Sequence, residues 1–147
     1  MMKNLISLFV FTGCIFILFS GEIIAQDDMD GHVFTVISFK STMPQDGSIE
    51  ELDSLMNEYT SAAVKKNDKI LSSKSLRHLY GSDSRELVVI NEYASFADIE
   101  VAGKMNEELM KKRWPDETER EEFWKRFNHY FTNHSDEIYM EMSNHRK

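Results

Sequence analysis

The sequence predicts an α+β domain with elements in the order β-α-β-β-α-β, whose second helical segment is split near Pro115. Two observations carry this prediction. Short segments rich in β-branched and aromatic residues alternate with segments in which apolar residues recur every three or four positions. Clusters of Pro, Gly, Asp and Ser separate many of these segments, as is typical of turns.

Four segments have the composition of strands. The third contains a continuous apolar run, residues 87–90, which predicts a central strand that is buried on both faces. Gly, Ser and Asp at residues 81–84 predict the turn that leads into it. The predicted strands are residues 32–40, 72–80, 86–93 and 137–142.

The first helix is predicted from its start signal and its apolar spacing. Ser48 and Glu51 fit a capping box, in which the serine oxygen accepts from the backbone near the glutamate and the glutamate reaches back. Apolar residues then recur at steps of three or four, and we expect the helix to end near Asn67.

Two further helices are predicted on either side of Pro115. Ser95 caps the first of them, with Asp98 in the reciprocal position. That helix ends before Pro115, because the residue that precedes a proline avoids the helical region. Thr118 and Glu121 fit a second capping box, which predicts the start of an aromatic-rich helix.

The N-terminal segment resembles a secretory signal peptide. Lys3 precedes an uncharged, mostly apolar run at residues 5–19, and Ala25 is small enough for a cleavage position. The run is shorter than the roughly 20 apolar residues that a spanning helix needs. We therefore expect cleavage after residue 25, export to the periplasm or medium, and no stable membrane anchor afterwards. An uncleaved anchor and a lipid anchor at Cys14 are the alternatives, although only Gly and Cys of the bacterial lipobox are matched.

The remaining chain is expected to form one domain. Its composition is acidic, with a formal net charge of −8 for the whole sequence, and this argues against binding to nucleic acid. The expected organisation is a cleaved signal peptide at residues 1–25, a disordered lead-in at 26–31, the domain at 32–142 and a polar tail at 143–147.

The element order with a four-stranded antiparallel sheet is the ferredoxin-like topology. Within it, residues 89–98 (VINEYASFAD) resemble the third strand of the dimeric α/β-barrel superfamily, which ends in Glu-x-Tyr or Glu-x-Trp before a Ser-capped helix. The resemblance covers residues 32–142 by topology. It implies a homodimer related to antibiotic-biosynthesis-type monooxygenases, haem-degrading enzymes and stress-responsive proteins.

No cofactor or metal is expected. Haem-handling members of that superfamily use a His on the helix after the third strand, and residues 99–112 contain none. His129 and His134 are five residues apart, whereas two ligands on one helix face are usually four apart. Residues 134–136 are better explained as a loop before the last strand, with Asp136 in an Asx-type turn.

The candidate catalytic residues are His78, Tyr80 and Asn91, with Tyr93 nearby across the hairpin. A histidine supplies acid–base character near neutral pH, and Tyr and Asn can orient a substrate or stabilise an oxyanion. The alternative is that His78 lies on the sheet surface or in a dimer interface, since a shift of one residue in register reverses its face. Glu92, on a central strand, is expected to be paired or to have a perturbed pKa.

The aromatic residues around Pro115 form the densest apolar group of the predicted domain. They either pack as core and dimer contact or line a ligand pocket. The candidate ligand-binding residues are Tyr93, Trp114, Phe123, Phe127 and Tyr130. Phe123, Phe127 and Tyr130 form one stripe, and Trp124 and Phe131 fall outside it. This predicts that part of the aromatic surface is an interface.

Three functions remain open. The first is an exported homodimer that binds a small apolar or aromatic ligand between sheet and helices. The second is a cofactor-independent monooxygenase-like enzyme that uses His78, Tyr80 and Asn91. The third is a structural dimer without a ligand. A cavity into which all three polar side chains point would favour the enzyme, and an apolar cavity without them would favour binding.

Overall fold

The computed structural model of the protein describes residues 31–142. The signal peptide, most of the lead-in and the polar tail predicted from the sequence lie outside the described residues. The elements are β1 Val33–Ser41, α1 Ile49–Ala62, a 3-10 turn Val64–Lys66, β2 Ser72–Arg77, β3 Glu86–Tyr93, α2 Phe96–Arg113, α3 Glu117–His129 and β4 Phe131–Met140.

The four strands form one antiparallel sheet in the order β2-β3-β1-β4. This is the ferredoxin-like arrangement that the element order predicted, with β1 and β3 in the centre. The hairpin between β2 and β3 contains Gly81, whose φ of 142° is closed to most side chains. A Cβ at that position would approach Nε2 of His78 to 2.8 Å, so the turn also leaves no room for a side chain there.

The helices begin at three different caps. Ser48 Oγ accepts a hydrogen bond of 3.1 Å from the backbone of Glu51, and Ser95 Oγ accepts one of 3.3 Å from Asp98, as predicted. The prediction for α3 was wrong. Asp116, not Thr118, is its cap, with the carboxylate accepting from two backbone N–H groups of the first turn. A carboxylate also interacts favourably with the helix dipole there.

Two strand predictions were also wrong in part. Strand β4 begins at Phe131, so His134 and Asp136 lie within an exposed edge strand and not in a loop. Their side chains pair at 3.2 Å. Strand β3 is central, but most of its apolar run is only partly buried, because the described helices cover one face of the sheet.

The core lies mainly among the three helices, next to one end of the sheet face that they cover. Aromatic rings dominate it: Trp114 stacks on Phe123 with ring centroids 4.5 Å apart, and Phe127 follows at 5.9 Å. Trp124 and Phe131 also pack against this core. These contacts within the chain account for the partial burial of both side chains, so no interface is needed to explain it. The buried cluster consists of Leu52, Leu55, Ala62, Ala63, Met110, Trp114, Phe123, Phe127 and Tyr130.

The opposite face of the sheet is uncovered within residues 31–142. The register places alternate residues of the four strands there, and the strands align them in rows. One row reads Lys74, Ile90, Val36, Glu137 from edge to edge, with apolar side chains in the centre and opposite charges at the two edges. We call this surface the open face; its large apolar members are Phe34, Val36, Leu76, Val88, Ile90 and Tyr139.

Candidate functional site

A cavity of about 250 Å³ lies between the helices and the covered face of the sheet. Strands β1, β2 and β3 supply its floor through residues that alternate with those of the open face. Helices α1, α2 and α3 supply its walls. The lining residues are Ile37, Phe39, Met56, Tyr59, Thr60, Val64, Ser73, Ser75, Val89, Asn91, Asn106, Trp124, Phe127 and Asn128.

Tyr59 is the one titratable side chain among these lining residues. Burial raises the pKa of its hydroxyl above the usual value, and Tyr93 nearby adds to the rise. The hydroxyl therefore keeps its proton at neutral pH. It accepts a 3.4 Å hydrogen bond from Asn106, and its own proton forms no hydrogen bond within residues 31–142. The cavity thus presents a neutral hydroxyl donor to an occupant.

Asn106 is held in place by Asn67, which is the one buried polar residue of the described chain. The amide nitrogen of Asn67 donates to Oδ1 of Asn106 at 2.7 Å and to the carbonyl of Ala102 at 2.9 Å. Its Oδ1 accepts from the backbone of Lys69 at 3.0 Å. This network fixes the orientation of the Asn106 amide toward Tyr59, so that the polar wall of the cavity is preorganised.

A second polar pair lies on the floor of the cavity. Ser73 on the edge strand donates a hydrogen bond of 2.7 Å to Oδ1 of Asn91 on the central strand. This contact uses the amide oxygen, so the amide nitrogen of Asn91 remains able to donate to an occupant. Tyr59 and Asn91 thus add donors to those of the other hydroxyl and amide side chains of the lining.

The structure does not bring the three predicted catalytic residues together. Asn91 lines the cavity. His78 follows the end of β2 and packs against the turn at Gly81, and Tyr80 is 97% exposed in the same connection. Neither His78 nor Tyr80 lines the cavity, because β2 ends at Arg77 and the alternation of the strand would place both with Leu76 on the face opposite the cavity.

The predicted ligand-binding aromatic residues divide between core and cavity. Phe127 lines the cavity. Tyr93, Trp114, Phe123 and Tyr130 are buried at 8% exposure or less and are not among the lining residues. Phe123 supports the wall of the cavity, because it packs against Phe127.

Glu92 is paired, as its position on a central strand led us to expect. It lies on the open face, where Oε2 accepts from Ser72 at 2.5 Å and Oε1 contacts Nδ1 of His32 at 2.5 Å. The hydrogen bond from Ser72, followed by that from His32, holds the pKa of Glu92 below its usual value. The cluster is separated from the cavity by the sheet itself.

Within residues 31–142, no group of three or more His, Cys, Asp or Glu side chains is arranged to hold a metal ion. Over the same range, no helix has both the length and the apolar character needed to cross a membrane.

Sequence reasoning missed Tyr59 and Asn106 as cavity residues, and it left Trp124 out of the candidate ligand-binding residues. Tyr59 lies on the inner side of α1, and its hydroxyl gives no periodic signal. Asn106 lies in the middle of α2. An asparagine inside a helix is unfavourable for helix formation, and this is the signal that could have found it.

No protein-family model matches the sequence, and no curated protein matches it. Solved structures do match. The cofactor-independent oxygenase SnoaB from Streptomyces nogalater has a TM-score of 0.51 at 10% identity, covering 80% of this chain and 99% of that chain. A candidate antibiotic biosynthesis monooxygenase from Caulobacter crescentus has a TM-score of 0.53 at 11% identity, with coverages of 78% and 93%.

A dimeric ferredoxin-like protein from an uncultured marine organism has a TM-score of 0.51 at 11% identity and covers 76% of this chain and 95% of that chain. At these identities the likeness shows the fold alone. The chain has the ferredoxin-like fold, and its structural neighbours include proteins of the antibiotic-biosynthesis-monooxygenase and dimeric α/β-barrel type, as the sequence resemblance predicted.

Proposed function

We propose that this protein is an exported homodimer that binds a small apolar or aromatic compound in the cavity between its sheet and its helices. The observation that carries the proposal is the lining of that cavity. Apolar and aromatic side chains surround a space of about 250 Å³, and its polar side chains are hydroxyls and amides. Concave, mostly apolar sites with a few placed polar groups are typical of small-molecule binding.

Binding is favoured over catalysis because the cavity has no acid–base pair. Its single titratable side chain, Tyr59, stays protonated at neutral pH. The monooxygenase-like function assigned to His78, Tyr80 and Asn91 needs three side chains around one substrate, and only Asn91 reaches the cavity. The hydroxyl of Tyr59 and the amide of Asn91 instead suit recognition of a carbonyl or hydroxyl oxygen on the ligand.

The homodimer is supported by the open face. A sheet with helices on one side leaves a row of apolar side chains uncovered, and contiguous apolar surface of this kind marks protein contacts. The marine neighbour is described as dimeric.

Export is supported by the apolar run and Ala25 at the start of the sequence. Intact mass of the protein after secretion from a bacterial host tests this, with a chain that begins at Gln26 expected.

Tryptophan fluorescence tests ligand binding, since one of the two tryptophans lines the cavity. The probe is phenylnaphthylamine, a neutral aromatic compound. We expect saturable quenching of the wild type and of both single variants, because energy transfer to the probe reaches both tryptophans, and a weaker affinity for Trp124→Phe than for Trp114→Phe, because Trp124 lines the cavity and Trp114 does not. Equal affinity of the two variants, or no saturable binding to the wild type, would contradict the proposal.

A matched pair of cavity variants tests the location directly. Val89→Phe fills the cavity from β3, whereas Val88→Phe adds the same ring to the open face of the same strand. We expect Val89→Phe to lose at least tenfold in affinity for phenylnaphthylamine, which corresponds to about 1.4 kcal/mol. Val88→Phe should bind as the wild type does.

A further inference from the structure

A shallow groove runs between α2 and α3 on the outer side of the cavity wall. It measures about 310 Å³ and is lined by residues of α2 and α3 together with Tyr59 of α1. Tyr59, Asn106 and Trp124 line both this groove and the central cavity. The two spaces therefore share a wall made by these three side chains, and they lie next to each other.

Arg120 in this groove has no carboxylate partner within residues 31–142. The other four arginines of that range all pair with a carboxylate: Arg77 with Asp53, Arg85 with Asp83, Arg113 with Glu58 and Arg126 with Glu51. Arg120 instead donates to the backbone carbonyl of Trp114 at 2.8 Å, which orients its guanidinium. A partly buried, oriented and unneutralised guanidinium is suited to an anionic group.

Lys111 adds positive charge to the same groove, while Glu107 contributes one carboxylate to its rim. Lys111 pairs at 2.8 Å with Glu108. The hydrogen bond with Glu108 raises the pKa of Lys111 above its usual value, Glu107 adds to the rise, and Arg120 opposes it weakly. The charge of Lys111 is thus already offset, and Arg120 is the cation of the groove that has no carboxylate partner within residues 31–142.

Gly103 leaves the groove open. It lies inside α2, where a glycine costs roughly 1 kcal/mol relative to alanine. Nothing lies within 4 Å of the place its Cβ would occupy, so neither packing nor backbone geometry requires the glycine. The cost is explained if the space above Gly103 is used by a ligand.

We propose that the groove between α2 and α3 binds the anionic group of the ligand, with Arg120 as its ion-pair partner, while the apolar part of the ligand fills the central cavity. The ligand class is thus an aromatic or apolar acid, such as an aromatic carboxylate. This inference rests on the proposed function, because it extends the same binding site.

The test compares two probes that differ by one anionic group. Anilinonaphthalenesulfonate carries a sulfonate that phenylnaphthylamine lacks. Wild-type protein is expected to bind the sulfonate more tightly than the neutral probe. Arg120→Gln should weaken binding of the sulfonate about tenfold, the size expected for one charged hydrogen bond, and leave the neutral probe unchanged. Arg120→Lys should restore part of the loss, and Arg113→Gln, outside the groove, should change neither probe.

Gly103→Leu gives a second test that does not depend on Arg120. The side chain enters open space, so the melting temperature should rise or stay constant while affinity for anilinonaphthalenesulfonate falls. If both probes bind the wild type equally and Arg120→Gln and Gly103→Leu alter neither, the groove has no such role and the central cavity still stands as a binding site. If neither probe binds the wild type, the proposed function fails as well.

Discussion

The hydroxyl of Tyr130 donates a hydrogen bond of 2.6 Å to Oε2 of Glu51. The same hydroxyl accepts a 3.0 Å hydrogen bond from the backbone N–H of Ser48, so it stands between the two residues of the predicted capping box. Arg126 pairs with the other oxygen of Glu51. The start of α1 is thereby joined to the end of α3. Gly47 makes this possible, because a Cβ there would come within 2.6 Å of the Tyr130 oxygen.

This junction predicts an acid-sensitive contribution to stability. The hydrogen bond from Tyr130, followed by that from Arg126, holds the pKa of Glu51 below its usual value. A carboxyl whose pKa is lower in the folded chain stabilises it above the unfolded pKa, about 4.5 here, and loses that effect as the pH falls through the folded pKa. Glu51→Gln should therefore lower the melting temperature at pH 7, and the difference from wild type should shrink below pH about 4.

Thermal melts between pH 7 and pH 3 measure this difference. Glu122→Gln, on an exposed part of α3, is the matched control and should leave the profile unchanged. A constant gap between wild type and Glu51→Gln over the whole range would show that the carboxylate charge is unimportant at this junction.

Thr35 predicts a stabilising substitution. Its Oγ1 is buried on the covered side of β1 and has no hydrogen-bond partner within residues 31–142. An unsatisfied buried hydroxyl is costly, whereas valine has nearly the same shape without it. Thr35→Val should raise the free energy of unfolding by about 1 kcal/mol, measured by urea denaturation. Thr132→Val, which removes a hydroxyl that bonds the carbonyl of Lys40, should not stabilise.

Asn67 predicts a coupled effect on stability and binding. Its side chain makes three hydrogen bonds, one of which orients Asn106 in the cavity wall. Asn67→Ala should cost about 2 kcal/mol in the free energy of unfolding, since buried partners lose their bonds. It should also weaken phenylnaphthylamine binding severalfold while the protein remains folded. Asn57→Ala, exposed on α1, serves as the control. Unchanged affinity in folded Asn67→Ala would mean that Asn106 needs no such support.

The open face predicts how a dimer would form. Ile90 lies in the centre of this face on β3, and a lysine there would place charge in the contact. Ile90→Lys should convert the dimer to a monomer in light scattering coupled to size exclusion, with probe binding retained as a sign of correct folding. Val101→Lys, an exposed apolar position on α2, should remain dimeric. A wild-type monomer at high concentration would overturn this prediction.

Charges at the edges of the open face predict the geometry of the proposed dimer. Lys74 on β2 and Glu137 on β4 stand at opposite ends of one row. A two-fold axis parallel to the strands would bring Lys74 of one subunit opposite Glu137 of the partner subunit. Lys74→Glu should raise the dimer dissociation constant about threefold or more, and adding Glu137→Lys should restore it. An additive loss in the double variant would indicate another orientation.

The sequence predicted the order of the elements, the central place of β3 and two of the three helix caps. These features depend on local patterns, such as the apolar run of β3 and the serine before α2. The start of β4 was not predicted because Asn133, Ser135 and Asp136 favour turns. An edge strand that is exposed on both faces also lacks the apolar alternation that would have indicated a strand.

The candidate site was harder to predict from the sequence than the fold. Asn91 was found because it lies on a recognisable strand. His78 and Tyr80 were misplaced because the sequence does not show which face of β2 is covered: they follow Leu76 on the open face, whereas Asn91 pairs with Ser73 on the covered face. The groove residues Tyr59, Asn106 and Arg120 come from three different helices. The packing of those helices brings them together, and the spacing of residues along the chain does not predict that packing.

The position of β1 has a consequence for folding. It is the first described strand, yet it lies between β3 and β4, and its β4 partner spans residues 131–140 near the other end of the chain. The sheet cannot be completed until that last strand is available, so most of its pairing requires loops of long sequence separation to close. A chain assembled in this way gains little from folding early. If the chain is exported as proposed, this delay would keep it unfolded, and therefore able to cross a membrane as an extended polypeptide, until the last strand has passed.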